Sequence, residues 1–475
     1  MIKHLLLPCI LMIQSVSAQI TSYDTSFASN GKYTITGSNT SYNTKIVQNP
    51  DKSLYFTYAK NNSSSNNAEC VISKLNANGT VDSSFGNNGE TIISNYYTAV
   101  DSQLTRQSDG KLLIFGFNTD GAVITRITSN GQLDPTFGSN GSSKISNIFT
   151  DFNGTGYGLY LQDNKIIIYG MSTEGPSNFY KSIYRLNNDG SIDNTFGYNG
   201  SIKTMGNFVF LDNQSNIVSL ITNYSNTNSN TTYPNGGMEK YNSNGQPLTS
   251  FGNNGALVFT NSPGTVGTAF MDSNNYIVCA NVLNNEIFRI TPNGIRDNTF
   301  AFDNTAAPFN DGILSSFITE KNGSYYISWI TGPSGETFLI SKLTSTGAVD
   351  PTFNYYSENA VGSLFITDMI INEASLLAIR EKQILKFLLN NSTLATADFS
   401  KASKTAISFE NPIKQDLIYH TKETVQSIEI YSSTGKLIKT VKNSHSDLSE
   451  LPSGIYMLKI RFTNGNETSK KLIKK

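Results

Sequence analysis

The sequence predicts an all-β chain, a seven-bladed β-propeller followed by a small C-terminal β-sandwich. Three observations carry that expectation. One phrase of the form Asp-x-x-Phe-Gly-x-x-Gly recurs seven times, with successive Phe residues 49 to 59 positions apart. Between copies lie β-branched and aromatic runs bounded by Gly, Asn and Asp, with no helical periodicity. Near residue 395 the repeat ends and the charge balance changes sign: Lys401 to Lys475 hold 13 basic and 7 acidic residues, on a chain whose formal net charge is −1.

The phrase begins at Asp24 and Phe27. It returns at Asp82, Phe85, Gly86 and Gly89, at Asp134, Phe137, Gly138 and Gly141, and at Asp193, Phe196, Gly197 and Gly200. Weaker copies follow at Phe251, Gly252 and Gly255 with Leu248 in place of Asp, at Asp297 and Phe300 with Ala301 in place of Gly, and at Asp350 and Phe353. A fixed period of this size over seven copies marks an array of like units.

Each interval repeats one grammar. A short strand follows the phrase, then a polar turn leads to an apolar run such as Leu112-Leu-Ile-Phe or Ile166-Ile-Ile-Tyr. Another strand ends in a basic-apolar-x-x-polar-Gly turn, as at Arg126–Gly131, Arg185–Gly190, Arg289–Gly294 and Lys342–Gly347. This is hairpin chemistry, and four short strands with their turns fill a unit of this length. Four strands make one propeller blade. The leading segment Ile20–Phe27 and the final Lys382–Leu389 are left over, and pairing them would close the ring without an open edge. An open β-solenoid is the competing architecture, and it would need caps instead.

Within the phrase, Asp suits a turn in which its carboxylate accepts from backbone two residues on. Phe is an apolar anchor between neighbouring units, and the Gly and Asn-Gly positions permit positive φ. The alternative is a ring of carboxylates for a hard cation. The nearest candidate is Asn187-Asn-Asp-Gly-Ser-Ile-Asp193, which lacks the further acidic ligands Ca²⁺ requires. These residues resemble the delta-60 repeat, a bacterial family that implies a propeller fold over about residues 24–390 but no defined activity.

The N-terminus has the layout of an export signal: Lys3, the apolar run Leu5–Ile13, and Val16-Ser17-Ala18 before Gln19, with cleavage expected between Ala18 and Gln19. Nine apolar residues are too few to cross a hydrocarbon core about 30 Å thick, and Pro8 before Cys9 does not suit a lipoprotein site. No later stretch is apolar enough to span a membrane, and nothing in the charge suggests nucleic acid. Cys70 and Cys279 fall in different repeats, so a disulfide framework is not implied.

Residues 19–394 are thus assigned to the propeller, 395–403 to a linker and 404–475 to a second domain of short alternating strands. In that domain Asn411-Pro412, the Ile-Tyr-Ser-Ser-Thr-Gly435-Lys436 stretch, Leu-Pro-Ser-Gly454-Ile455-Tyr456 and the terminal Lys-Leu-Ile-Lys474 are similar to the type A sorting domain of type IX secretion in Bacteroidetes-type bacteria. Glu410 stands where that family usually has Pro. The resemblance implies Sec export, passage across the outer membrane through the type IX machinery, and release or surface anchoring.

The three histidines are His4, His420 and His445, so the propeller has none. That excludes Ser-His-Asp and Cys-His catalysis there, as well as His-ligated metals. Gly332-Pro-Ser-Gly-Glu-Thr337 lacks the Gly-Lys ending of a P-loop, and no cofactor motif is present. Carboxylate chemistry remains open, with Glu174, Glu239, Glu286, Glu336 and Glu358 as candidates. Tyr96-Tyr97, Tyr325-Tyr326 with Trp329, and Tyr355-Tyr356 offer either stacking faces for a ligand or core packing. Three functions stay in play: a non-enzymatic module binding an extracellular glycan or protein, a secreted hydrolase or lyase, and a purely structural surface module.

Overall fold

Alternating apolar runs separated by tight turns leave each strand two neighbours to pair with. In a computed structural model the chain folds into β-sheets and two compact units, Met1–Asn391 and Ser392–Lys475. The structure describes residues 19–37, 44–61, 68–93, 103–118, 121–146, 148, 157–173, 179–222, 232–264, 266–281, 285–305, 312–331, 337–350, 353, 356–359, 366–372, 374–380, 382–390, 407–421, 423–432, 437–464 and 467–475. The leader, the segment 395–403 and the Gly435-Lys436 pair lie outside them.

Seven antiparallel sheets make up the first unit. Blade 1 runs from the inside outward as Ile46–Gln48, Leu54–Asn61, Ala68–Leu75 and Glu90–Ile93. Blade 2 is Gln103–Arg106, Leu112–Asn118, Gly121–Ile127 and Ser142–Ile145; blade 3 is Gly158–Gln162, Lys165–Thr173, Phe179–Leu186 and Ser201–Thr204. Blade 4 is Phe208–Leu211, Ile217–Ile221, Gly237–Tyr241 and Ala256–Val258. Blade 5 has three strands among the described residues, Val266–Met271, Ile277–Asn281 and Glu286–Ile290. Blade 6 is Gly312–Lys321, Ser324–Thr331, Thr337–Leu343 and Tyr356–Asn359.

Blade 7 is built from both ends of the unit. Ile366–Ile371, Ser375–Arg380 and Gln383–Asn390 supply three strands, and the outermost position is taken by Gln19–Tyr23 and Lys32–Thr34, both antiparallel to Gln383–Asn390. The ring therefore closes by strand pairing. Its innermost strands meet across the same seam. The Ile46 amide donates to Asp368 Oδ2 at 2.9 Å and Asn372 Nδ2 to Gln48 Oε1 at 3.1 Å, and burial pushes the Asp368 carboxyl above its ordinary range.

This closure shifts blades relative to repeats. In five blades the strand after the phrase pairs with the strand before it, and around Asp24–Gly31 both flanking strands pair with Gln383–Asn390. These phrases are therefore excursions inside the outer edge of one blade rather than boundaries between two. Blade 5 differs from the four-strand expectation among the described residues. After Phe300 the chain carries Phe302 into the apolar cluster shared with blade 6, and no outer strand forms among the described residues.

Seven apolar clusters hold the ring, one at each junction of consecutive blades. Each contains one phrase Phe: Phe27 between blades 7 and 1, Phe85 between 1 and 2, and Phe137 between 2 and 3. Phe196, Phe251, Phe300 and Phe353 follow at the next four junctions. Cys70 and Cys279 are buried, each in a different one of these clusters, and burial pushes the Cys279 thiol up.

The second unit is a sandwich. A three-stranded sheet of Ile407–Phe409, Asp416–Thr421 and His445–Asp447 faces a four-stranded sheet ordered Leu437–Val441, Val425–Ser432, Gly454–Phe462 and Glu467–Lys474. Leu417, Tyr419, Ile428, Ile430, Leu458, Ile460 and Leu472 fill the space between them.

Because Gln19–Tyr23 and Lys32–Thr34 complete blade 7, removing residues 19–34 leaves an edge of unpaired backbone on Gln383–Asn390. Thermal melting and limited proteolysis are expected to show a lower midpoint and first cleavage within 366–390. An unchanged midpoint would contradict closure through these strands.

Candidate functional site

The phrase residues converge on one device, repeated around the ring. In blades 1, 2, 3, 5 and 6 the third strand carries a basic residue eight positions before the phrase Asp, and the two meet across the start of the excursion. Arg126 Nε donates to Asp134 Oδ2 and Arg185 Nε to Asp193 Oδ2, both at 2.8 Å and almost wholly buried. Lys74 pairs with Asp82 at 2.8 Å, Arg289 with Asp297 at 2.5 Å and Lys342 with Asp350 at 2.9 Å. Lys386 pairs with Asp24 at 3.0 Å, the same contact carried through the ring closure. Blade 4 has Leu248 at the acid position, and its Lys240 ammonium sits 5.1 Å from the Phe251 ring centroid.

The other Asp oxygen organises the turn. Asp134 Oδ1 accepts from the Thr136 amide and hydroxyl at 3.0 and 2.6 Å, and Asp193 Oδ1 accepts from Thr195 at 3.2 and 2.6 Å. Burial alone would raise these two carboxyls, but hydrogen bonds from Thr136 or Thr195 and the paired cations outweigh it and hold both far below the usual carboxylate range. Their ionised charge is consumed by Arg and Lys. The segment Asn187–Asp193 therefore does not gather ligands for a cation, since Asp193 is paired with Arg185 and Lys165 while Asp189 caps Ser191.

The same basic side chains reach across to the next blade. Arg185 Nη1 donates to the Ser243 carbonyl at 2.6 Å and Arg289 Nη1 to the Ser345 carbonyl at 2.7 Å, while Arg126 bonds the Asn188 carbonyl. Their guanidinium carbons lie 4.7 to 5.0 Å from the rings of Phe137, Phe196 and Phe300. The phrase Gly completes the joint. The Gly138 amide donates to the Asp189 carbonyl of the next blade at 2.7 Å, with φ 55°, and a Cβ there would lie 2.1 Å from the Ser142 carbonyl. Ala28 takes a φ of 45° at the equivalent place.

This end of the ring is occupied by joints. The opposite end, where second strands lead to third and outer strands lead to the next inner strand, is different. Second-to-third connections range from two residues, 119–120, to fifteen, 222–236. The longest reads Thr-Asn-Tyr-Ser-Asn-Thr-Asn-Ser-Asn-Thr-Thr-Tyr-Pro-Asn-Gly, without a charge. Its feet are fastened. Thr222 donates from its amide and hydroxyl to Asn207 Oδ1 at 2.8 and 3.0 Å, Asn235 Nδ2 to the Thr260 carbonyl at 2.9 Å, and the buried Tyr233 hydroxyl to Glu239 Oε1 at 2.8 Å. Glu239 also accepts from Tyr241 at 3.1 Å and from Thr204, and burial together with that carboxylate pushes the Tyr233 and Tyr241 phenols up.

Among the described residues the candidate carboxylates are not assembled. Glu239 and Glu286 stand on the third strands of blades 4 and 5, the latter paired with Arg296. The side chains of Glu174, Glu336 and Glu358 lie outside the described residues, as do Tyr96-Tyr97 and Tyr355-Tyr356. Tyr325, Tyr326 and Trp329 are core residues; Trp329 Nε1 donates to Ser341 Oγ at 3.1 Å and Tyr325 to Asp272 Oδ2 at 2.6 Å. A groove of about 360 Å³ runs between the outer strand of blade 4 and the third strand of blade 5, lined by Leu257, Phe259, Phe288, Ile290, Ile295 and Arg296.

In the sandwich the described motif residues meet at one place. Gly454 and Ile455 pair with Lys474 and Ile473. The Asn411 side chain donates to the Lys471 carbonyl and accepts from the Ile473 amide, both at 2.8 Å, and the Asn411–Pro412 bond is cis. The Tyr456 ring is buried with its hydroxyl donating to the Pro452 carbonyl at 2.8 Å.

Comparison with known proteins decides the class. A family model described as a secretion system C-terminal sorting domain matches residues 409–475, and one described as a domain of unknown function (DUF5122) beta-propeller matches 107–137 and 161–196. The chain is a β-propeller protein with a type IX sorting domain. This propeller protein is secreted or held at the outer-membrane surface of a Gram-negative bacterium. No curated protein matches it in sequence. Among solved structures it is similar to virginiamycin B lyase from Staphylococcus aureus, at 14% identity over 75% of this chain and 98% of that one, with a TM-score of 0.46. It is also similar to a streptogramin B lyase, at 13% identity over 76% and 97% with a TM-score of 0.43. An acylaminoacyl peptidase from Pyrococcus horikoshii follows at 11% identity over 80% and 58%, with a TM-score of 0.42.

Two outcomes follow from the buried pairs. Asp134→Leu alone leaves Arg126 buried without its carboxylate and is expected to cost about 3–5 kcal/mol in denaturant unfolding. The double variant Arg126→Met with Asp134→Leu should cost less than the single one, so the cycle is strongly non-additive and the double falls well short of the sum of the singles. The pH dependence has a fixed sign. The carboxyls of Asp24, Asp82, Asp134, Asp193 and Asp297 are lowered on folding, so their stabilisation is present above the unfolded value of about 3.9 and is lost as pH falls below it. Melting temperature is expected to be flat with respect to these groups between neutral pH and about pH 5, then to fall steeply. A variant with Asn at positions 134 and 193 should show a shallower acid limb.

Proposed function

We propose that the propeller is a non-enzymatic binding module exported through the type IX pathway, and that it holds an extracellular glycan or protein on the end of the ring opposite the phrase joints. The observation that carries this is the division of labour between the two ends. One end repeats the same acid–base joint at nearly every blade. The other varies its second-to-third connections from two to fifteen residues, and the longest, 222–236, is made of Asn, Ser, Thr, Tyr, Gly and one Pro. Those residue types combine adaptable hydrogen bonding with rigid aromatic area, the composition that recognition loops favour, and a rigid scaffold with variable loops is the usual division between fold and function. The low charge of the longest connection favours a neutral polyhydroxyl or polar protein surface over an acidic polymer. Carboxylate hydrolysis loses support at Glu239, engaged by three hydroxyls, and at Glu286, paired with Arg296. In the same reading the leader ends at Ala18, residues 395–403 link the two units, and residues 404–475 direct secretion.

Screening the mature protein against arrayed glycans and soluble polysaccharides tests the proposal. Retention of a ligand without hydrolysis is expected. Deleting 224–230 should weaken it by about tenfold or more, equivalent to about 1.4 kcal/mol, with the melting temperature unchanged. Release of hydrolysed product would overturn the non-enzymatic reading, and binding indifferent to that deletion would overturn the choice of face.

A further inference from the structure

We infer that the outer face of the four-stranded sheet in the sandwich is the surface by which the secretion machinery grips this chain, and that its partner presents an apolar centre with an acidic rim. The inference deepens the sorting assignment and rests on it.

The inner face of this sheet is accounted for by packing. Along Gly454–Phe462 the side chains of Tyr456, Leu458, Ile460 and Phe462 are buried, so Ile455 and Met457 point the other way. Strand register then defines the outer face. Leu437 stands opposite Tyr431, Tyr431 opposite Met457, and Ile455 opposite Ile473. These five side chains form a continuous apolar band across all four strands. Leu437 and Ile455 are about half exposed, 48% and 50%, which core packing does not require. Isolated exposed apolar residues need no explanation, but a contiguous patch marks a contact surface.

Ile455 and Ile473 sit within the Gly-Ile-Tyr and Lys-Leu-Ile-Lys stretches that carry the sorting resemblance. Their neighbours Tyr456 and Leu472 are buried in the core, whereas Ile455 contributes little to it. The fold thus explains half of each stretch, and a partner explains the other half.

Charge selects the partner. Lys471 stands opposite Met457 at the edge of the band and is exposed, Lys459 is two residues along on the same face, and Lys475 follows at the chain end. Glu429, opposite Lys459, is on that face too, but it is paired with Arg461 at 2.7 Å, so the face keeps a net positive charge. From Lys401 onward the chain carries 13 basic against 7 acidic residues, while the rest of the protein is acidic. A second copy of the same face would bring like charges together, so a rim of acidic residues on a different protein fits better.

The test uses the full chain in a host with an active type IX pathway. Ile455→Asp and Met457→Asp are each expected to reduce the protein in medium and on the cell surface by about tenfold, a loss of about 1.4 kcal/mol in docking, with the unprocessed chain retained in the periplasm. The purified variants should melt as the parent does, because neither side chain enters the core. Ile418→Asp, at an equally exposed apolar position on the other sheet, should be secreted normally. Lys459→Glu with Lys471→Glu should also reduce secretion. Normal secretion of both Asp variants on the band, or equal loss with Ile418→Asp, would overturn the face; normal secretion of the double Glu variant would overturn the acidic partner. A parent dimer in sedimentation velocity that Ile455→Asp abolishes would assign the band to a second copy instead. Deleting 407–475 separates this from the sorting assignment, which fails only if that truncated chain is still secreted.

Discussion

Everything in the ring depends on how one blade is fastened to the next, and the fastening is a buried ion pair seated on a phenylalanine. A four-stranded sheet can satisfy its own backbone, but its two faces are apolar and must be covered by neighbours. The phrase supplies the cover and the clamp together. Phe137 fills the space between blades 2 and 3, Arg126 lies over its ring, and the guanidinium is fixed by Asp134 while reaching the Asn188 carbonyl ahead. A single guanidinium therefore serves its own blade, the joint and the neighbouring blade. An ion pair buried this deeply is not a large net stabiliser, because desolvation offsets the attraction. Its contribution is registry: Asp134 accepts from backbone, hydroxyl and guanidinium at once, and only one geometry satisfies all three. Blade 4 illustrates the distinction, for Lys240 over Phe251 beside Leu248 keeps the wedge without the clamp.

The fold was legible because the joint repeats. Seven phenylalanines at near-constant spacing disclosed the array, and hairpin chemistry disclosed the strands. The pairing leaves an equally plain trace in the sequence. Lys74 and Asp82, Arg126 and Asp134, Arg185 and Asp193, Arg289 and Asp297, and Lys342 and Asp350 are all eight apart. The basic residues mark strand ends and the acids start turns, and only the fixed spacing of eight links the two. Blade boundaries were less accessible in principle. A closed ring has no privileged starting strand, so a repeat unit can be cut anywhere, and the cut at the phrase falls within the outer edge of a blade. Blade 5 shows a further limit. Ala301 and Phe302 mark a degenerate copy, but the sequence does not say whether the outer strand survives the change.

The candidate recognition surface was hidden for a different reason. Strand and turn residues are constrained by period and by φ, which leave traces in a linear sequence. Loops at the far end of the ring answer only to a ligand, and Asn, Ser, Thr and Tyr in a polar run carry composition without geometry. What the structure adds there is support rather than contact. Thr222, Asn235 and Tyr233 anchor the connection they belong to, and Glu239 is explained as a foundation for that loop.

The sandwich shows the converse situation, in which a motif is dense and mostly explained by folding. Asn411 is tied to the last strand through both atoms of its amide, Tyr456 closes onto Pro452, and Leu472 is in the core. A motif accounted for entirely in this way would specify a fold and nothing else. Ile455 and Ile473 break that pattern by turning outward beside Met457, Tyr431 and Leu437. The two units therefore divide their work in the same manner: residues that repeat or recur as a phrase hold the structure, and the side chains left over after packing face what the protein meets outside itself.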